Sequence, residues 1–256
     1  MNAQRVDLNA DMGESFGRYR LDDVALLETV TSASIACGFH AGDPVTMREA
    51  VTAALHHGVV IGAHPGYPDL AGFGRRDMAL TPEEIEAIVV YQVGALQGAC
   101  ASMGARLGYV KAHGALYNRA ARDAAAAEAI VRAVRSVDRS LALLGLAGSA
   151  MIAAAEKLGV RAVSEVFVDR AYRRDGSLVP RSEAGAVLTD VRAVTERALQ
   201  MVVTGTVQAV DGSVLKVRTE SLCTHGDGPL AVEMVSAVRR RLEEHGIFVA
   251  PFAKSS

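Results

Sequence analysis

Four histidines stand at equivalent points of the sequence, each near the end of an apolar run with glycine just after it: His40, His64, His113 and His225. Such a run predicts a buried strand that ends at a tight loop. In α/β proteins, ligand-binding and catalytic groups collect at that edge of the sheet. An imidazole placed there can act as a general base, a proton donor or a metal ligand. One strand-end histidine is more often structural, but the recurrence favours a functional site.

Side chains alternate between the two faces of a strand, and this alternation adds ionisable groups to the same face as the histidines. The polar faces of five predicted strands hold Asp7, Asn9 and Asp11, then Ser34 and His40, then His64, then Tyr109, Lys111 and His113, and finally Glu165 and Asp169. If helices cover the apolar faces, this polar set points inward. Buried ionisable groups are costly unless they are paired, metal-bound or wetted by a substrate pocket. The pattern therefore predicts an active site inside the sheet.

Strands and helices alternate along the whole chain. The predicted strands are Val6–Asp11, Ser32–His40, Val59–His64, Leu107–His113, Leu141–Leu146, Arg161–Asp169 and Glu220–His225. The predicted helices are Asp22–Val30, Val45–His57, Pro82 to about Met103, Asp123–Ser136, Ser149–Leu158, Asp190–Val203 and Gly228–His245. Asp43 and Thr81 are typical N-caps, and Thr206–Val217, with Asp211-Gly212, predicts a hairpin before the last strand. About seven βα units imply parallel strands in one domain, 1–256. A closed barrel is the simplest arrangement, and an open doubly wound sheet is the alternative.

The amino-acid composition limits which binding partners and which cellular compartment are expected. The formal net charge is -2 and no run of Lys or Arg forms a basic patch, so no nucleic-acid partner is expected. Three widely spaced cysteines without a CxxC pair favour reduced thiols in the cytoplasm. The amino terminus lacks the apolar region of a signal peptide. The most apolar segment, Leu141–Ala155, is broken by glycines and too short to span a bilayer, so no membrane association is expected.

Several catalytic motifs do not occur in the sequence. It contains no G-x-S-x-G elbow, no G-x-x-x-x-G-K-[ST] phosphate loop and no G-x-G-x-x-G after a strand. Any use of ATP would have to avoid those motifs or depend on another chain. The remaining chemistry is acid–base catalysis or metal-assisted hydrolysis of a small polar substrate.

Several long motifs in register resemble the lactam-utilisation (LamB/YcsF) family. The resemblance begins with Asp7-Leu8-Asn9-Ala10-Asp11-Met12-Gly13-Glu14 and continues through Ala36–Asp43, Gly62–Asp69, Phe73–Arg76, Lys111–Asn118, Glu165–Arg170 with Tyr172, Gly176–Arg181 and His225–Asp227. It implies a seven-stranded parallel β/α barrel of the glycoside hydrolase/deacetylase type. It also implies ATP-coupled hydrolysis of 5-oxo-L-proline to L-glutamate by a 5-oxoprolinase complex, in which this chain would act with partner subunits B and C. ATP would then be a co-substrate.

The resemblance and the strand ends together suggest roles for individual residues. Asp11, His40 and His64 are expected to bind or activate the attacking water, with or without a divalent metal that these three would hold. Lys111 and His113 are expected to stabilise a developing oxyanion or phosphate. Arg170 or Arg181 would bind the substrate carboxylate. The other predicted substrate-binding residues are Asn9, Glu14, Glu165, Tyr172, His225 and Asp227.

Two alternative functions stay open at this point. The first is a stand-alone metal-dependent deacetylase or amidohydrolase, in which Asp11, His40 and His64 hold the metal. The second is a non-catalytic subunit that only binds the lactam and presents it to its partners. Metal content and activity of the isolated chain distinguish the three functions.

Overall fold

Eight parallel strands form the main sheet, and seven of them close into a barrel. The computed structural model describes residues 4–21, 24–224 and 230–253. The strands, in chain order, are β1 (Arg5–Met12), β2 (Ser32–Ala36), β3 (Val60–His64), β4 (Leu107–Val110), β5 (Ala142–Leu146), β6 (Arg161–Phe167), β7 (Thr206–Gln208), β8 (Val214–Lys216), β9 (Ser221–Thr224) and β10 (Phe248–Val249). The barrel order is β1-β2-β3-β4-β5-β6-β9, and β9 pairs back onto β1. The predicted closed barrel is therefore confirmed.

Helices cover the outside of the barrel: α1 (Pro44–His57), α2 (Pro82–Ser102), α3 (Gly114–Ala120), α4 (Ala124–Val137), α5 (Ala150–Leu158), α6 (Val191–Val203) and α7 (Ala231–Glu244). Both predicted N-caps are confirmed. The Asp43 carboxylate accepts hydrogen bonds from the amides of Val45 and Thr46 at the start of α1, and Thr81 and Glu84 form a capping box at α2. Local sequence therefore decides where these helices begin.

The antiparallel pair β7–β8 is the predicted hairpin, which lies outside the barrel sheet. The short strand β10 was not predicted. It pairs in parallel with the beginning of β1, with Arg5 opposite Phe248. A strand of two residues is too short to leave a periodic signal, so only the tertiary pairing reveals it.

Some predicted boundaries are wrong. Strand β2 ends at Ala36 rather than His40, β4 at Val110 rather than His113, and β6 at Phe167 rather than Asp169. The chain stays extended beyond the end of β4, so the amides of Lys111 and His113 still donate to Ala63 O and Pro65 O. The helix predicted at Asp22–Val30 is a short 3₁₀ helix, Val24–Glu28, and α3 was not predicted.

Helix α2 is long and apolar enough to cross a membrane by length and composition alone. In the fold it serves as an outer helix of the barrel, because Ile85, Val89, Val93 and Leu96 are buried. The side-chain amide of Gln92, which is also buried, bonds both backbone groups of Gly66 in the loop after β3. These contacts are typical of the core helix of a globular domain.

The barrel interior is polar toward the carboxyl ends of the strands and apolar toward the other end. An inner apolar cluster contains Val60, Tyr109, Ala142, Leu144 and Val163, and Phe252 and Ala253 of the C-terminal tail pack against it. The Phe252 ring lies edge-on to Tyr109, with centroids 5.1 Å apart. The tail thereby closes one end of the barrel and leaves the other end for the site.

Candidate active site

Three histidines and a glutamate meet above the carboxyl ends of the first four barrel strands. Glu14 follows β1, His40 follows β2, His64 is the last residue of β3, and His113 follows β4. One ligand atom from each lies within 4.8 Å of the ligand atoms of the others, and all four side chains are buried. This histidine–glutamate cluster brings together residues that are far apart in the sequence, as the strand-end pattern predicted.

Carboxylate and imidazole atoms are closely packed within the cluster. Glu14 Oε1 lies 3.2 Å from His40 Nε2 and 3.4 Å from His113 Nδ1. His64 Nε2 lies 2.9 Å from His113 Nδ1 and 3.3 Å from Asp11 Oδ2. The His40 and His113 rings are stacked, with centroids 3.7 Å apart and an interplanar angle of 3°. Five electron-rich groups therefore converge on one small volume.

Backbone carbonyls fix which nitrogen of two rings carries the proton. His64 Nδ1 lies 2.8 Å from Lys111 O, and His113 Nε2 lies 2.8 Å from Phe73 O. A carbonyl can only accept, so both of these nitrogens donate. In the neutral rings, the lone pairs are then on His64 Nε2 and His113 Nδ1, the two nitrogens that face each other. Two acceptors at this distance repel unless positive charge lies between them.

Burial favours the neutral form of two of these rings, so they do not supply that positive charge themselves. It lowers the pKa of His40 and His113 well below the usual value, and the neighbouring histidines add to the effect. Burial also raises the pKa of the Glu14 carboxyl. His40 Nδ1 is a further buried nitrogen without a hydrogen-bond partner. A cation bound among these groups would satisfy the lone pairs that neutral rings leave unpaired.

The loop after β3 holds the cluster in place. Phe73 is the one non-glycine residue with positive φ among the described residues, at 54°, and this conformation accompanies the bond between its carbonyl and His113. A Cβ on Gly74 would lie 2.7 Å from His40 Cβ, and a Cβ on Gly66 would lie 2.7 Å from His40 Nδ1. Only glycine allows the loop to pack this closely on the rings.

Lys111 is the centre of a second buried network below the cluster. Its Nζ donates to Asp11 Oδ1 at 2.8 Å and to Asn9 Oδ1 at 3.1 Å, and it lies 3.4 Å from Glu165 Oε2. It also lies 3.2 Å from Cys223 Sγ. Burial disfavours its charge, but Asp11 and the other neighbours outweigh burial and raise the pKa of Lys111 well above its usual value. The ammonium therefore stays charged and holds Asp11 against the cluster.

A cavity of about 790 Å³ opens beside both networks. Of the predicted site residues, its lining includes Asp11, Glu14, His64, Lys111, His113, Arg170 and Arg181. Asn9, His40 and Glu165 lie behind this lining and are fully buried. Arg170 is also buried, and its Nε and Nη2 donate to Ala186 O and Val179 O, which leaves its Nη1 end for a ligand.

The structure does not bring every predicted residue to the cavity. Tyr172 lies outside the lining, where its hydroxyl accepts a 2.7 Å hydrogen bond from the amide of Phe167. His225 and Asp227 lie outside the described residues. Several lining residues were not predicted from the sequence, including Tyr117, Arg122 and Ser149. Tyr117 belongs to a matching motif and could have been singled out, whereas Arg122 and Ser149 carry no local signal.

The cluster residues suit a divalent metal better than the predicted set of Asp11, His40 and His64. Glu14 and His113 join His40 and His64 in one group of ligand atoms, and Asp11 lies beside this group, 3.3 Å from His64 Nε2. Imidazole and carboxylate are the ligands that zinc and similar ions prefer. The carbonyls of Lys111 and Phe73 orient two of the rings, as outer partners of metal ligands do. The chemistry of the donors therefore fits a metal.

The fold and this site define a β/α-barrel protein with a polar, histidine-rich pocket at the carboxyl ends of its strands. The sequence profile of the LamB/YcsF family matches residues 6–256. The chain belongs to the LamB/YcsF family.

Similar proteins cover nearly its whole length. The A component of the 5-oxoprolinase of Bordetella parapertussis is 56% identical over 245 residues, which are 95% of this chain and 97% of the relative. The corresponding 5-oxoprolinase component of Agrobacterium fabrum is 50% identical over 249 residues, 97% of this chain and 98% of the relative. The crystal structure of a lactam utilization protein from Thermus thermophilus has a TM-score of 0.91 and 48% identity, and the match covers 97% of this chain and 100% of that chain.

A more distant structure shares only the fold. The catalytic domain of a peptidoglycan N-acetylglucosamine deacetylase from Eubacterium rectale has a TM-score of 0.53 and 10% identity, over 100% of this chain and 91% of that domain. The barrel type expected from the resemblance is thus confirmed.

Proposed function

We propose that this chain is the A component of an ATP-dependent 5-oxoprolinase, which hydrolyses 5-oxo-L-proline to L-glutamate together with partner subunits B and C. Full-length relatives at 50% and 56% identity carry the name of this component. The observation that carries the proposal is the histidine–glutamate cluster at the edge of the cavity, with two tautomer-fixed nitrogens facing each other. The three buried free cysteines accord with a reducing, cytoplasmic location.

The reaction needs activation because amide resonance makes the lactam carbonyl a poor electrophile. ATP would phosphorylate the carbonyl oxygen and release ADP, one water would add to the carbonyl carbon, and the C–N bond would break as the ring nitrogen takes up a proton. A second water would then hydrolyse the resulting acyl phosphate to glutamate and phosphate. The overall reaction consumes ATP and two water molecules and releases glutamate, ADP and phosphate. The carbonyl carbon must therefore lie close to a group that accepts the proton of water.

Asp11 is suited to that role. Its Oδ1 is held by Lys111 at 2.8 Å, and its Oδ2 lies 3.3 Å from His64 Nε2. Lys111 keeps the carboxylate charged, while His64 can take the proton onward. Arg170, through its free Nη1 end, would bind the substrate carboxylate, and Arg181 lines the same cavity.

A divalent metal bound by Glu14, His40, His64 and His113 would supply Lewis-acid chemistry and a more acidic water. His64 and His113 are oriented for this by the carbonyls they donate to. Without the metal, Asp11 and His64 can still orient the water and accept its proton. Binding of a divalent metal by these four residues is therefore included in the proposed function.

The test is glutamate formation from 5-oxoproline and ATP by the chain alone and by the chain with partner subunits B and C. We expect glutamate only in the mixture, and we expect His40→Ala and His64→Ala to lose it while circular dichroism stays unchanged. His57→Ala, on the exposed end of α1, is the matched control and should retain full activity. Near-normal turnover in both cluster variants would overturn the assignment of the site.

The second candidate is a stand-alone metal-dependent hydrolase of amides, which the metal-binding geometry of the cluster also favours. It predicts stoichiometric metal and activity on amide or acetamide substrates in the isolated chain. A third outcome is a non-catalytic lactam-binding subunit. Lactam binding and complex turnover that both survive the loss of His40 and His64 would point to it.

A further inference from the structure

The cavity has a second, strongly basic part that the histidine–glutamate cluster does not use. Five arginines line the cavity: Arg75, Arg122, Arg170, Arg173 and Arg181. Arg122 lies just beyond the end of α3, while Arg170, Arg173 and Arg181 belong to the segment between β6 and α6. The lining carboxylates are fewer, namely Asp11, Glu14 and Asp175. Arg173 is paired with Glu183 outside the lining, but Lys111 and the other four arginines still outnumber the three lining carboxylates.

Each of these three carboxylates already interacts with a group other than the lining arginines. Asp11 bonds Lys111, Glu14 lies among the histidines, and Asp175 accepts from the amide and hydroxyl of Ser177. Among the described residues, neither Arg122 nor Arg170 forms an ion pair with a carboxylate. Arg170 is only 5% exposed and bonds backbone carbonyls. A buried guanidinium that no carboxylate contacts directly is costly, so the site suits an anion from outside the chain.

Like charges around Arg170 add to this cost. Burial lowers the pKa of Arg170, the neighbouring Arg181 and Arg75 lower it further, and the nearby Asp169 offsets only part of this effect. Repulsion of this kind disappears when an anion binds between the guanidinium groups. The arrangement is typical of arginine clusters that recognise phosphate or carboxylate through paired N–H donors.

The start of α5 lies against the same cavity. Ser149 is the N-cap residue, but its side chain makes no capping bond, and its buried Oγ has no hydrogen-bond partner. The first turn of α5 has no acidic residue that would neutralise the positive end of the helix dipole. Gly148, Ser149 and Arg122 all line the cavity. An unpartnered hydroxyl and a helix end next to a basic wall suit an anionic oxygen ligand.

The ligand must carry more charge than the lactam. 5-Oxoproline has one carboxylate, which the Nη1 end of Arg170 can bind. A volume of about 790 Å³ exceeds what a single five-membered ring fills, because cavities of roughly 300 to 1,000 Å³ enclose drug-sized ligands. Charge and volume both leave room for a second anionic group.

The geometry points to a phosphoryl-binding subsite in this chain, formed by Arg122 and Ser149 beside the carboxylate-binding Nη1 end of Arg170. This inference rests on the proposed function, in which a phosphoryl group activates the lactam. The group has two sources: ATP bound by this chain, or a lactam already phosphorylated elsewhere in the complex. In both cases the chain binds phosphoryl oxygens through guanidinium and hydroxyl donors.

The test is titration of the full, chelator-treated chain with inorganic phosphate, pyrophosphate and ATP, measured by isothermal titration calorimetry. The chelator removes any metal that could bind phosphate at the histidine–glutamate cluster. We expect pyrophosphate to bind, and we expect Arg122→Gln and Ser149→Ala each to weaken binding about tenfold, the effect of losing one charge-assisted hydrogen bond. Arg48→Gln removes an exposed arginine of α1, outside the cavity, and should change nothing.

The comparison of ligands identifies the source. ATP binding much tighter than pyrophosphate supports a nucleotide site on this chain. Similar affinity for phosphate, pyrophosphate and ATP supports capture of a phosphorylated lactam. Absence of binding by all three, or equal losses in Arg48→Gln and Arg122→Gln, would overturn the subsite.

The two proposals fail independently. Phosphoryl binding that persists when the reconstituted complex makes no glutamate would reject the proposed function and keep the subsite. Glutamate formation that is unaffected by Arg122→Gln and Ser149→Ala, in a chain without phosphoryl binding, would reject the subsite alone.

Discussion

At the scale of single residues, two backbone carbonyls decide what the histidine–glutamate cluster can bind. Lys111 O and Phe73 O take one N–H each from His64 and His113, so the remaining nitrogens offer lone pairs toward Glu14 and Asp11. Neutral histidines and ionised carboxylates are the forms that bind metals. The cluster is therefore arranged as a cation site before any ligand arrives.

Replacement of Glu14 tests this arrangement. Glu14→Gln keeps the shape but removes the charge, so we expect the affinity for Zn²⁺ to fall by more than about tenfold, the lower bound for losing even an outer partner. A competition titration with a chromogenic chelator measures it. Glu49→Gln, on the exposed face of α1, is the control. Equal zinc affinity in both variants would contradict the cluster as the metal site.

Lys111 neutralises buried carboxylates, so its removal should cost stability as well as activity. Lys111→Met leaves Asp11 and Glu165 without their cation, and breaking a buried pair in this way costs about 3 to 5 kcal/mol. Urea unfolding measures the loss. Lys157→Met removes an exposed partner of Glu128 and should leave the unfolding midpoint almost unchanged. Similar midpoints for the two variants would show that Lys111 has no such role.

Asp7 makes stability depend on pH. It lies at the bottom of the polar interior and accepts from Ser32 at 2.6 Å, from Thr31 at 2.7 Å and from Ser221. Burial nevertheless raises its pKa from 3.8 to about 6. The folded state therefore holds a proton that the unfolded state has already lost between these two pH values.

The contribution of Asp7 to stability is complete below pH 3.8 and is lost as the pH rises to about 6. Relative to Asp7→Asn, the wild type should lose about 3 kcal/mol of unfolding free energy across this window, and the difference should be constant above it. Urea unfolding of both proteins at several pH values tests this. A difference that does not vary with pH would mean that Asp7 keeps an ordinary pKa.

At the scale of elements, strand β3 shows how a missing side chain shapes the barrel interior. A Cβ on Gly62 would overlap the ring of Tyr109, which lies beside it on β4 and is fully buried. The Tyr109 hydroxyl also lies 3.1 Å from Ser34 Oγ on β2. Gly62 therefore allows a large aromatic ring to separate the polar site from the apolar end.

Gly62→Ala should destabilise the fold by about 1 to 3 kcal/mol through overpacking, measured by thermal or urea unfolding. Shortening the neighbour in the pair Gly62→Ala/Tyr109→Leu should recover part of the loss, because the two positions are in contact. Gly94→Ala, on the exposed face of α2 with open space around it, should instead stabilise by about 0.5 to 1 kcal/mol. A neutral Gly62→Ala would show that Tyr109 can move aside.

At the scale of the whole molecule, the two ends of the barrel have different tasks. The C-terminal tail closes one end with Phe252 against Tyr109, and Arg161 Nη2 holds the tail by donating to Phe252 O at 2.8 Å. The other end carries the cavity. The closed end therefore contributes to stability without taking part in the chemistry.

Phe252→Ala should lower the unfolding free energy by about 1 to 2 kcal/mol, because a partly buried ring loses its contacts, and turnover at a temperature well below the unfolding transition should not change. Phe248→Ala removes a ring that is 62% exposed and should cost at most about 0.5 kcal/mol. Denaturant unfolding and glutamate formation measure the two effects. Loss of turnover in folded Phe252→Ala would contradict the separation of the two ends.

Prediction from the sequence succeeded where local rules decide structure. Apolar runs with glycine after them marked β2, β3 and β4, and Asp43 and Thr81 marked helix starts. Boundaries failed where pairing between distant strands decides them, as at His40 and His113. The hairpin β7–β8 was predicted from Asp211-Gly212, but α3 and β10 were too short to leave a periodic signal.

The sequence alone determined the βα alternation, the inward polar face and the group of residues that approach one another at the strand ends, since each follows from a local period or a motif. Tertiary structure alone decided that Glu14 and His113, rather than Asp11, join His40 and His64 as potential metal ligands, that Phe73 O selects the His113 tautomer, and that Tyr172 turns away from the cavity. The physical reason is that ring orientation and loop packing depend on contacts between segments far apart in the chain. Alternation along a strand assigns a face to a side chain, whereas the distances between side chains on different strands are set only when the barrel closes.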